Sequence, residues 1–116
     1  MVITIEPKPV HFEAAHTLPQ FCDAVHGHSY ELRIRVSGPL ANGAIADWWA
    51  LRAIAKAAVA ELDHRTLNDI MANPTGECVA VWLWGKVSDG IWAAHPKCKL
   101  VWLRLSEGAN SVELQG

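Results

Sequence analysis

Cysteine is scarce in this chain. Cys22, Cys78 and Cys98 make an odd count with none of the dense spacing of a disulfide scaffold, so reduced thiols are expected. Positive charge is scarce too: 10 Lys and Arg stand against 12 Asp and Glu, for a net charge of −2. No basic cluster is dense enough to neutralise a run of phosphates, which excludes nucleic acid as the expected partner. No segment approaches the ~20 continuous apolar residues of a membrane span. The opening Met1-Val2-Ile3-Thr4 lacks the basic start and apolar stretch of a secretory signal, so a cytoplasmic protein is expected. Internal repeats, low-complexity runs and linkers are all missing, and residues 1–116 are read as one domain.

What the chain does have is apolar surface. Hydrophobic residues make up 51% and charged residues 19%, with six Trp among them. A chain this long can remove roughly two-thirds of its unfolded surface from water, enough for a core of its own. Some of the remaining apolar surface is expected to face another copy of the chain.

The periodicity predicts an α+β fold. Residues 10–16 alternate so that Val10, Phe12, Ala14 and His16 share one strand face. Residues 28–37 repeat the pattern, with Tyr30, Leu32, Ile34 and Val36 on one side and Glu31, Arg33 and Arg35 on the other. Asp47 is a credible cap for a helix running to about Leu62, where Trp48, Leu51, Ile54, Ala55, Ala58 and Leu62 recur at helical spacing. A second helix is expected to begin near "NPTGE" and run to about Val87, and residues 98–105 and 111–115 read as a closing hairpin. The order ββααββ implies an antiparallel sheet with two helices on one face.

The residues with chemistry concentrate in "FCDAVHGHSYEL". His26 and His28 are two apart in an extended segment, so both imidazoles leave one face, and His16 ends another strand on a face that can be shared. Three converging neutral imidazoles are the donor set of a catalytic zinc centre; the plain alternative is a solvated H-G-H turn. Cys22 is open to three roles: a fourth ligand, an acid/base beside a metal, or a small apolar side chain in a loop. Asp63-His64 offers a carboxylate that orients an imidazole, or else a helix C-terminus where His meets exposed carbonyls. Glu107, at a strand end before Gly108, can accept paired N–H donors from a ligand or be an exposed hairpin glutamate.

Taken together, "FEAAHTLP", "CDAVHGHSYELRIRVSG", "LDHRTLND", "NPTGE" and "LSEG" resemble the 6-pyruvoyl-tetrahydropterin synthase and 6-carboxytetrahydropterin synthase family. The resemblance implies a tunnelling fold, a four-stranded antiparallel sheet with two helices on one face, assembled as a trimer or hexamer. By the family's motifs, His16, His26 and His28 would hold zinc, and Cys22, Asp63 and His64 would form a catalytic relay completed across a subunit boundary. Glu107 would anchor a pterin through its ring N–H groups. The three residues between Cys22 and the H-G-H triplet are similar to the bacterial carboxytetrahydropterin branch, which serves queuosine biosynthesis. The implied reaction is that of a lyase: 7,8-dihydroneopterin triphosphate to 6-carboxy-5,6,7,8-tetrahydropterin, with loss of acetaldehyde and triphosphate. Alternatives are a pyruvoyl-type or dihydroneopterin aldolase-like activity, or a non-catalytic pterin-binding paralogue. The segment 17–25, "TLPQFCDAV", holds no Lys or Arg to meet a triphosphate.

Overall fold

The structure is a computed structural model that describes residues 1–116, the side chains of Cys22 and Asp23 excepted. Its spine is β3, Cys22–Pro39, against which β2, Val10–Leu18, pairs antiparallel with Val10 opposite Leu32 and His16 opposite His26. A short β1, Val2–Ile5, pairs with the far end of β3, so β1 and β2 lie end to end along one side of it. Pro7 and Pro9 lack the N–H a ladder needs, which is why the two do not fuse into one strand. On the other side of β3 come β5, Lys99–Glu107, and then β6, Asn110–Gln115, both antiparallel.

The four long strands form the expected antiparallel sheet. The sheet is nonetheless mixed, because β4, Arg65–Thr66, pairs parallel to β2 at its edge. A two-residue strand carries no periodicity, so no sequence pattern marks it.

Helix α1, Trp48–Ala60, starts where expected: the Asp47 carboxylate accepts from the N–H groups of Trp49 and Ala50. Helix α2, Gly76–Ala94, is capped by Thr75, whose hydroxyl accepts from the Cys78 N–H. It runs about two turns beyond the expected end at Val87. Gly90 lies inside this extension, where a Cβ would stand 2.6 Å from Ile54 Cγ2. Its role is close approach between the helices rather than termination.

Both helices cover the same sheet face. Val10, Phe12, Ala14, Tyr30, Leu32 and Ile34 bury against Leu51, Leu83 and Val87, with each large apolar side chain contributing about 1.5–3 kcal/mol. The opposite face carries charge: Glu6 takes hydrogen bonds from Arg33 (2.7 Å) and Arg35 (3.1 Å), and both guanidiniums lie over the Trp102 ring. Hydrogen bonding from Arg33, ahead of the contribution from Arg35, holds the Glu6 carboxyl below its ordinary pKa. His11, of opposite parity to His16, sits on this face beside Glu31 at 3.1 Å, as its strand position predicts.

Candidate metal centre and adjoining cavity

The end of β2 and the start of β3 bring the three histidines together. His16 and His26 are cross-strand partners, and His28 follows His26 by two on the same face. Their potential ligand atoms lie within 4.8 Å of one another, and their rings meet edge-on with centroids 4.7–5.0 Å apart.

The hydrogen bonds fix the tautomers of two rings. His16 Nδ1 lies 2.9 Å from the Pro74 carbonyl oxygen, and His26 Nδ1 lies 2.9 Å from that of Ala24. A carbonyl only accepts, so both Nδ1 atoms carry the proton and both Nε2 atoms present lone pairs. Those two Nε2 atoms are 3.1 Å apart. Facing lone pairs at that distance repel unless a cation lies between them, and tetrahedral Zn²⁺ spaces its nitrogen ligands by about 3.3 Å. Burial, the largest influence, pushes the His16 pKa down against the opposing pull of Pro74, which favours the neutral ring a metal requires. The donor set therefore fits a zinc-like ion.

Beside the triad stands Glu107, opposite Tyr30 across β3 and β5, with its Oε1 3.0 Å from His28 Nε2. Tyr30 is 1% exposed and stacks on Phe12 at 4.7 Å. Its hydroxyl has no well-directed hydrogen bond among the described residues, and burial foremost, then the Glu107 charge, pushes its pKa well above the usual range. A cavity of about 420 Å³ opens here, lined by Tyr30, Gly76, Glu77, Glu107, Asn110 and Val112. That volume suits a small heterocycle.

Asp63 and His64 lie along the outer edge of β2. The Asp63 carboxylate accepts from the Glu13 N–H at 2.9 Å and stands 3.6 Å from His64 Nε2, beyond hydrogen-bonding range. The His64 side chain is 79% exposed and borders a second cleft of about 360 Å³ that reaches His28 of the triad and is lined also by Glu13, Ala15, Ser29 and Thr66. By strand parity Glu13, Ala15 and Ser29 leave the helix-free face, and His28 leaves the other. One chain thus unites His16, His26, His28 and Glu107, and places His64 on the rim of a cleft that also reaches His28. The expected role of Cys22 falls on a side chain outside the described residues. Three contributors lie within the quoted motifs but receive no role at the site from sequence reasoning: Pro74 through its carbonyl, Tyr30, and Asn68, whose side chain brackets Thr17.

A family model described as 6-pyruvoyl tetrahydropterin synthase matches residues 5–113. The chain is 40% identical over 73 residues to the dihydroneopterin monophosphate aldolase of Pyrococcus furiosus, which covers 62% of this chain and 64% of that one. That match falls short of two-thirds of the aldolase's length. It is 32% identical over 81 residues to a putative 6-carboxy-5,6,7,8-tetrahydropterin synthase of Archaeoglobus fulgidus, covering 67% of this chain and 70% of that one. Among solved structures, 6-pyruvoyl tetrahydropterin synthase of Caenorhabditis elegans superposes with a TM-score of 0.82 at 22% identity, covering 100% of this chain and 96% of the other. The Plasmodium vivax enzyme of that name gives 0.81 at 14% identity, covering 100% and 98%. At these identities the superpositions establish the fold.

Proposed function

Because the chain belongs to the 6-pyruvoyl tetrahydropterin synthase family, we propose that it is a metal-dependent carbon–carbon lyase that shortens the side chain of a phosphorylated 7,8-dihydropterin. The observation that carries this reading is one juxtaposition: three imidazoles converge, one of them 3.0 Å from a carboxylate that lines a heterocycle-sized cavity. Binding alone would not require that donor set.

The first reading is the 6-carboxytetrahydropterin synthase reaction. 7,8-Dihydroneopterin triphosphate and water give 6-carboxy-5,6,7,8-tetrahydropterin, acetaldehyde and triphosphate. His16, His26 and His28 would hold the ion, which, when bound, supplies Lewis-acid polarisation of the side-chain oxygens. Glu107 accepts the paired ring N–H groups and orients the pterin. Cys22, separated from His26 by three residues, accepts the proton leaving the side-chain carbon, and His64 of a second copy, held by its Asp63, returns one. The exposure of His64, on the rim of the cleft that reaches His28, supports a site completed between copies, as a trimer or hexamer would provide.

A second reading has its own support. Neither segment 17–25 nor the cavity lining holds a Lys or Arg, and two carboxylates, Glu77 and Glu107, border the cavity. A substrate with one phosphate meets less repulsion there than a triphosphate. The name of the 40% identical relative is consistent with that substrate. A retro-aldol cut of dihydroneopterin monophosphate would break the same side-chain bond and release glycolaldehyde phosphate.

Incubating the zinc-loaded protein with each substrate decides between them. Acetaldehyde and triphosphate from the triphosphate substrate support the first reading, and glycolaldehyde phosphate from the monophosphate supports the second. A protein that binds pterin and releases neither aldehyde is a binding paralogue and overturns both.

A further inference from the structure

The structure assigns to Asn68 the placing of His16: its carboxamide acts as a surrogate peptide unit at the one position where β2 loses its regular partner. This rests on the three histidines being a metal centre. The β2–β3 register shifts between His16 and Leu18, so Thr17 has no partner in that ladder. On the other edge, β4 stops at Thr66 opposite Ala15. At the next step along that edge, Asn68 Oδ1 accepts from the Thr17 N–H at 2.8 Å and Asn68 Nδ2 donates to the Thr17 carbonyl at 3.0 Å. A carboxamide offers a donor and an acceptor in one plane, as a backbone peptide does.

Asn68 is itself anchored. It belongs to a 3₁₀ turn, Leu67–Asp69, whose first residue, Leu67, is fully buried in the core. The turn closes a strap that follows β2 from Glu13 onward: Asp63 caps the Glu13 N–H, the His64 N–H donates to the Glu13 carbonyl, and Arg65 and Thr66 pair with Ala14 and Ala15. His16 is consequently held at its ring by Pro74 and at its following peptide by Asn68. Without Asn68, the strand end carrying a ligand would have two backbone groups free to turn toward water. Asp at this position keeps an acceptor and loses the donor.

Metal affinity measured by competition with a chromophoric chelator tests this, together with the visible spectrum of the Co²⁺-loaded protein, which reports ligand geometry. Asn68→Ala is expected to bind Zn²⁺ about 10–100-fold more weakly and to alter the Co²⁺ spectrum, with Asn68→Asp in between. Asp47→Ala serves as the control, because it lowers metal-free stability through the α1 cap, away from the triad, and should leave affinity and spectrum unchanged. Wild-type affinity and spectrum in both Asn68 variants, or a loss no larger than that of Asp47→Ala, overturns the assignment. Should Asn68→Ala fail to fold, Asn68→Asp decides by the same criteria. A wild-type chain that binds neither ion overturns the metal centre itself, an outcome distinct from failure of Asn68 alone.

Discussion

At the residue scale, the ligand triad was legible because parity is a rigid rule. His26 and His28 cannot leave opposite faces of a strand, and His16 shares the parity of buried Phe12 and Ala14. Parity cannot say which atoms meet in space, which is why Asn68, Pro74 and Tyr30 went unseen. Each reaches the site through a long-range contact spanning 51 or 58 residues for the first two, and through the β3–β5 register for the third. The proposed division of labour between ligands and base is testable on single residues. His26→Ala should lose the ion, and Cys22→Ala should keep about one Zn²⁺ per chain while turnover falls about 10²–10⁴-fold. Metal analysis beside steady-state rates checks both, and loss of zinc from Cys22→Ala would make Cys22 a ligand.

At the element scale, starts were more legible than ends. Asp47 and Thr75 are side-chain caps that declare themselves locally, whereas the extension of α2 past Val87 depends on a contact with α1 that no local signal reveals. Two of the three glycines of α2, Gly85 and Gly90, therefore carry opposite expectations. Gly85 is exposed and a Cβ there meets nothing within 4 Å, so Gly85→Ala should stabilise by about 0.5–1 kcal/mol through helix propensity alone. At Gly90 the same gain opposes an overlap with the stiff, β-branched Ile54 that costs about 1–3 kcal/mol, so Gly90→Ala should destabilise by about 1 kcal/mol. Denaturant melts of the two variants, run side by side, check the difference in sign.

At the scale of the whole molecule, the chain is longer than a compact globule of its size. It measures 52 × 20 × 20 Å, and its radius of gyration is 14.9 Å where about 13 Å is usual. The strand β6 forms an outer sheet edge and is largely exposed, offering unpaired backbone groups to another strand. Phe21 and Val25, near the triad, are 75% and 66% exposed. A protomer with an open edge, an elongated sheet and an exposed His64 beside the triad's cleft is suited to closing into a ring of copies. Light scattering should give a mass three or six times 12.7 kDa; a stable 12.7 kDa species with full activity would rule the shared site out.

The spine strand has a further consequence. From Tyr30 to Leu32, β3 is paired on both sides, by β2 and by β5, whereas from Cys22 to Ser29 its ladder runs along β2 alone. His26 and His28 thus sit on an arm of β2, β3 and the two-residue β4, in which this part of β3 is an edge, projecting from a multi-stranded body. In terms of amide hydrogen exchange, the body opens with global unfolding and the arm opens locally at lower cost. Adding Zn²⁺ should slow exchange at residues 24–28 by an order of magnitude or more and leave residues 30–36 nearly unchanged. The arm would then be a region whose rigidity is set by its metal rather than by the fold.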